Sequence, residues 1–262
     1  MDVLILRFGE KKMTNTQKHS HDVMEVCVLA GKIMLQSGGE TYRVEDTMTR
    51  IAAAYGYHHS HSFVTPTGII FSIDGEHSTK LIRVSDRTTD LKKVTIVNGI
   101  SRRISSGSLE VKAAYQELKE VEAAKLVYHT SIQIVAAAIA SGCFLIMFQG
   151  QWNDFIPAMI TGGIGFSSLL YLHHLVKLKF FAEFMSSALI GVIAILFVRL
   201  GIGIDLDKII IGSVMPLVPG LLITNAVRDL IAGHLVSGIS KGAEAFLTAF
   251  AIGAGIAIVF SI

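Results

Sequence analysis

The sequence predicts an α-helical polytopic membrane protein, with about five transmembrane helices preceded by a small α+β domain. The first observation is an uneven charge distribution. Before Leu126 lie 17 of the 23 Lys and Arg and 15 of the 21 Asp and Glu, so the second half is mostly apolar. The second observation is that this half breaks into runs of membrane length. A crossing needs about 20 mainly apolar residues, because each rises about 1.5 Å through about 30 Å of hydrocarbon. The third is that Lys and Arg favour alternate connections between those runs. Three regions follow: a variable tail at 1–20, a cytoplasmic α+β domain at 21–125 and a five-helix transmembrane domain at 126–262.

The runs are 127–148, 155–176, 181–200, 209–227 and 246–262, the last beginning a few residues earlier around Gly242. The third tolerates Glu183 near its start, and the fourth is interrupted by Met215-Pro216-Leu217-Val218-Pro219-Gly220. Lys112, Lys119 and Lys125 approach the first run, Lys177 and Lys179 fill the second loop, and Arg228 and Lys241 are assigned to the fourth. The first loop has no basic residue, and in the third Arg199 and Lys208 are offset by Asp205 and Asp207. The positive-inside rule then places the amino-terminal domain in the cytoplasm and Ile262 outside.

In the polar half, Val23, Val26, Cys27, Ala30, Ile33 and Met34 recur at three- and four-residue spacing, predicting an amphipathic helix over 21–37 that Gly38-Gly39 ends. Thr41 is the expected cap of a second helix ending at Gly56. Residues 62–73 and 81–85 are rich in Val, Ile, Phe and Thr and predict strands. Residues 90–104 and 109–126 predict helices, the last running on into the first membrane run.

Several function classes lack support. A net charge of +2 without a long basic stripe gives no reason to invoke nucleic acid. Cys27 and Cys143 have no metal or redox spacing and read as free thiols packed like small hydrophobes. Tyr57-His58-His59-Ser60-His61 lacks matching acidic or Cys spacing and reads as a solvated loop, so no metal or cofactor is expected. The charged amino terminus has no apolar core of signal-peptide length. No Gly-rich Lys-Ser/Thr phosphate loop is present, and no nucleophile–base pair marks catalysis.

The interrupted fourth run is the most informative feature. Pro216 and Pro219 each remove a backbone donor, so a kink or an unwound segment is expected at Pro216, Pro219 and Gly220. Broken helices in membranes occur where backbone is buried in protein or lines a watery cavity, and in transporters they hold substrate. A plain packing kink is the competing reading. Asn225, Arg228 and Asp229 follow at i, i+3 and i+4, where Arg228 could attract a carboxylate and Asp229 pair with it or carry a proton. Both charges equally suit the cytoplasmic end of the run, as does Glu244 at the start of the fifth. In the polar half, Glu40, Thr41, Arg43 and Glu45 sit at a helix start, and Thr65 and Thr67 flank Pro66 between strands. Capping and turn chemistry compete there with a ligand role.

Two stretches carry a family resemblance. The first is Ala30-Gly31-Lys32-Ile33-Met34-Leu35-Gln36-Ser37-Gly38-Gly39-Glu40-Thr41-Tyr42-Arg43-Val44-Glu45-Asp46, with Ala54-Tyr55-Gly56 and Val64-Thr65-Pro66-Thr67-Gly68. The second is Met215-Pro216-Leu217-Val218-Pro219-Gly220 leading to Thr224-Asn225-Ala226-Val227-Arg228-Asp229-Leu230. With Val97-Asn98 and Arg102, they resemble the threonine/serine exporter family from about Asp22 onward. The resemblance implies a bacterial inner-membrane exporter of small polar metabolites, threonine/serine-type amino acids or dicarboxylates such as succinate. It also implies a split, five-span type working with a second small membrane subunit or as a homo-oligomer, and candidate roles for Asn98 and Arg102. The alternative is a membrane-tethered enzyme or sensor whose soluble domain carries the activity. Five closely spaced runs with a doubly broken helix exceed what an anchor requires.

Overall fold

A computed structural model describes residues 15–74, 79–176 and 178–261. Most of the expected tail, Lys177 of the second loop and Ile262 lie outside the described residues. The chain divides into two compact units, residues 1–126 with 231–237, and residues 127–230 with 238–262.

The first unit is built on α1 (Asn15–Gln36), which packs against three further helices and a sheet. The predicted stripe of Val23, Val26, Cys27, Ala30, Ile33 and Met34 is fully buried, but so are Met24, Val28, Leu29 and Leu35. This helix is therefore enclosed on nearly every side rather than amphipathic, as a central helix must be. Burial also raises the pKa of the Cys27 thiol, which makes it an inert packing group. Gly38, at φ 88°, closes the helix, and the Gly39 N–H bonds back to the Met34 carbonyl at 2.8 Å. The N-cap position of the second helix, α2 (Thr41–Ala54), is held by Glu40, which makes no side-chain capping bond, rather than by Thr41; Thr41 is its first residue and is buried.

The long predicted strand is two strands, because Thr65-Pro66-Thr67 turns the chain. β1 (Ser60–Thr65), β2 (Gly68–Ile73) and β3 (Thr79–Arg83) form an antiparallel meander in chain order. One face carries the buried Val64, Ile69, Phe71 and Ile73; the other exposes Phe63, Ile70 and Leu81, paired side by side across the strands. Helices α3 (Leu91–Ser105), capped by the Asp90 side chain, and α4 (Val111–Ala123) complete the unit. The Glu122 carboxyl is held below its usual range chiefly by its 2.7 Å bond to Lys32. The returning segment 231–237 belongs to this unit: Ser237 Oγ donates to the Val64 carbonyl at 3.2 Å, and His234 lies 3.8 Å from Glu45.

α4 does not run into the membrane half. Ala124 turns extended, and the His129 side chain caps a new helix by accepting from the Ser131 N–H at 3.4 Å. Such a local side-chain bond competes with helix continuation, which explains the break.

The second unit contains α5 (Thr130–Met147), α6 (Phe155–Val176), α7 (Lys179–Arg199), α8 (Leu206–Val214), α9 (Gly220–Ile231) up to Leu230, and α10 (Leu235–Phe260) from Gly238 onward. Four of these, α5, α6, α7 and α10, are individually long and apolar enough to cross a membrane; α8 and α9 qualify as a pair bent by 62°. Such a pair is either one interrupted crossing or a re-entrant loop, and helix directions decide between them. Partners on α7 and α10 ascend together: Lys179 with Glu244, Ser187 with Gly255, Gly191 with Val259. These helices are parallel. Partners on α6 and α7 run oppositely, Gly165 with Ile190 and Ser168 with Ser186, as do those on α9 and α10, Asp229 with Lys241 and Ala226 with Gly242. α6 and α8 ascend together through Asp154 with Asp205 and Ala158 with Ser213. Thus α8 runs along α6, and α9, opposed to α10 as α6 is to α7, points the same way. A re-entrant loop would return α9 against α8, so the pair is one interrupted crossing.

Small residues allow this packing. A Cβ on Gly255 would lie 2.3 Å from the Phe184 carbonyl, and one on Gly212 2.8 Å from the Ser141 carbonyl. Close backbone approach through glycine is how membrane helices gain contact where lipid offers no hydrophobic driving force.

Candidate functional site

The break begins from a fixed end. The buried Asp154 carboxylate accepts from the N–H groups of Ile204 (2.6 Å) and Asp205 (3.1 Å), and Asp205 caps α8 through the Lys208 N–H. After Val214 the helix tightens into a 3-10 turn, Met215–Leu217, holding Pro216. Val218 is then extended, at φ −64° and ψ 131°. The cause is Pro219, whose ring disfavours the helical region for the residue before it. Pro219 itself stands immediately before α9, where a missing N–H costs nothing. A Cβ on Gly220 would meet no atom within 4 Å, so the start of α9 borders open space.

The expected trio separates as α9 proceeds. Asn225 and Asp229 are buried on one face, whereas Arg228 is exposed. Asp229 pairs with Lys241 of α10, Nζ to Oδ2 at 2.7 Å, rather than serving only as an end-of-helix charge. Both side chains are almost wholly enclosed, at 0% and 5% exposure. This overturns the assignment of Arg228 and Lys241 to a loop. α10 starts seven residues before Gly242, at Leu235, which draws Lys241 inside the helix and leaves a connection without Lys or Arg. Sequence reasoning therefore missed Lys241. The available signal was the polar series Ser237, Lys241, Glu244 and Thr248 at helical spacing in an otherwise apolar run. Glu244 is half-buried and bonds Lys179 at 2.8 Å.

Further polar groups line the interior of this unit. Ser141, Thr161, Glu183, Ser186, Ser187, Ser213 and Thr248 are all buried. Serines of this set are partly satisfied by helix carbonyls, Ser141 by Ala137 and Ser213 by Ala158. Enclosed charges are costly to hold without a partner, which Asp229 and Lys241 supply to one another.

The candidates of the first unit are spread over α2, the β1–β2 turn and α3. Glu40 is buried and 3.5 Å from Arg43, Thr41 is enclosed, and Arg43 is half-exposed. Glu45 accepts from the Val64 N–H at 2.8 Å, tying α2 to β1. Thr65 bonds the Gly68 carbonyl, and with Thr67 it borders the open depression beside Phe63, Ile70 and Leu81. Asn98 and Arg102 lie on α3, half-buried and exposed respectively. These placements favour local structural roles for Glu45 and Thr65.

A family model described as "Putative threonine/serine exporter" matches residues 25–262. The chain belongs to the threonine/serine exporter family. Among curated exporter-family relatives, it is 24% identical over 245 residues to a Klebsiella aerogenes protein named "Probable succinate transporter subunit YjjP", covering 89% of this chain and 91% of that one. It is 23% identical to the Corynebacterium glutamicum protein named "Threonine/serine exporter", over 89% of this chain but 50% of that one. The Mycobacterium tuberculosis protein named "Probable threonine/serine exporter" is 22% identical, over 88% and 44%. This exporter-family chain thus spans about half the length of the last two relatives and nearly all of the first. No solved structure matches it.

Proposed function

We propose that the chain is a subunit of a secondary exporter that moves small polar metabolites, threonine/serine-type amino acids or dicarboxylates such as succinate, out of the cytoplasm. On this reading it relocates its substrate without chemical change. The observation that carries the proposal is the α8–α9 break, with the enclosed Asp229–Lys241 pair further along α9 from the open space at Gly220. A substrate carrying both an ammonium and a carboxylate, or two carboxylates, offers groups that can compete with such a pair. The coverage of the relatives supports a second membrane subunit, since two exporters of this family are about twice as long.

The test is efflux. In a strain lacking its own exporters, co-expression with a companion family subunit should lower intracellular threonine or succinate, while this chain alone leaves both unchanged. Transport by the purified chain alone in liposomes would overturn the subunit reading.

We place the amino-terminal domain in the cytoplasm of a bacterial inner membrane, with the carboxy terminus outside. The Lys residues before α5 and in the second loop support a cytoplasmic domain; five passes then put the carboxy terminus on the opposite side, and the grouping of 231–237 with the amino-terminal unit fits four passes before that segment. Reporters fused at Lys125, Asn153, Lys179, Asp205, Gly233 and Ser261 should alternate, beginning inside and ending outside. A cytoplasmic Ser261 reporter would overturn it.

A further inference from the structure

Glu183 has no role in the site described above, yet it is a carboxylate at 4% exposure inside the second unit. Its Oε2 has no hydrogen-bond partner among the described residues. An enclosed carboxylate with an unsatisfied oxygen lacks the partners that would offset the cost of burying a charge. Lys179 stands one turn earlier on α7, the i to i+4 spacing that lets the two side chains meet. In this structure, however, Lys179 is bonded to Glu244 of α10 at 2.8 Å. Lys179 and Glu244 are the charges that act on Glu183. His173 of α6 stands beside Lys179, with a buried Nε2 that has no partner among the described residues. One ammonium therefore stands bonded to Glu244 while lying within i to i+4 reach of the enclosed Glu183.

We propose that Glu183 is the proton-carrying site that couples transport to a proton gradient, loaded while Lys179 bonds Glu244 and discharged when Lys179 turns to Glu183. This rests on the exporter reading. The step balances simply: the Glu183 O–H bond breaks, the proton passes to water on the side reached by the half-exposed Lys179, and the carboxylate takes Lys179 as its counter-ion. Reloading draws on the opposite side, as coupling to a gradient requires: Lys179 returns to Glu244, and Glu183 takes up a proton from water that reaches it from the other side of the membrane. The exchange takes place on the parallel α7–α10 seam, where Gly255 lies against Phe184 and Ser187. A change of partner at one end of that seam acts on both helices.

The experiment uses everted membrane vesicles carrying the full chain with its companion subunit and radiolabelled succinate or threonine. Glu183→Gln, which fixes the neutral form, should lose gradient-driven accumulation while keeping exchange of labelled for unlabelled substrate without a gradient. Gradient-driven accumulation by Glu183→Gln equal to the parent would overturn the proposal. A second measurement does not depend on transport. A hydrophobic carbodiimide, which reacts with protonated carboxyl groups, should modify Glu183 of the parent chain at neutral pH, with labelling that falls as pH rises. Absence of an adduct at Glu183 in peptide mapping would overturn the proposal even if Glu183→Gln fails to insert. Labelling at Glu183 in vesicles that move neither substrate would instead sink the exporter reading and leave the proton site standing.

Discussion

Lys241→Met is expected to destabilise the protein by about 3–5 kcal/mol, the usual cost of stripping one partner from a buried ion pair. Asp229 would be left as an enclosed anion, since it is fully buried and its Oδ2 meets Lys241 Nζ at 2.7 Å. The loss should appear as lower abundance and a lower unfolding temperature in detergent. The paired replacement, Asp229→Leu with Lys241→Met, removes both charges and both desolvation costs, and should recover most of the stability or exceed the parent. Its efflux decides the role of the pair. If Asp229 and Lys241 handle substrate, the stable double variant exports nothing; if they only hold α9 to α10, it exports normally. Efflux equal to the parent, normalised to inserted protein, would reduce the pair to a packing element.

Much of this was legible because membrane helices are read from length and apolarity, and α6 occupies the predicted residues without a shift. The broken fourth run was legible for a local reason as well, since proline acts on its own neighbour. What sequence alone obscured was anything set by a partner helix. Lys241 looked like a loop cation because a charge near an apolar run usually marks its edge; only the antiparallel packing of α9 on α10 makes it an interior residue. Glu183 looked tolerated for the same reason. Arg228 and Asp229 looked equivalent by spacing, but a helix face is narrow, and only Asp229 turns inward with Asn225. In the polar half, Thr41 looked like a cap by residue type, yet the chain entered α2 one residue earlier at Glu40.

Pro219→Ala is expected to abolish export while leaving the protein inserted and abundant. Pro219 is the residue that drives Val218 out of the helical region, to ψ 131°, and so opens the gap between the 3-10 turn and α9. Alanine lifts that restriction and restores an N–H, favouring a continuous helix by up to about 3 kcal/mol relative to proline in a helix interior. The N–H gained can bond the Met215 carbonyl, which at present receives a 3.2 Å bond from the Val218 N–H. Pro216→Ala should do less, because Met215 before it is already helical at φ −55° and ψ −38°. The double Ala variant should match Pro219→Ala rather than add to it. If the break is where substrate passes, straightening it removes the open backbone and the space beside Gly220, and transport falls with stability unchanged or raised. A packing kink gives another outcome, in which a straightened span no longer fits against α5 and α6, so abundance and export fall together. Efflux of preloaded threonine or succinate, divided by the amount of membrane-inserted protein, separates the two. Unchanged normalised efflux in Pro219→Ala would remove the break from the pathway and leave the Asp229–Lys241 pair as the place to look.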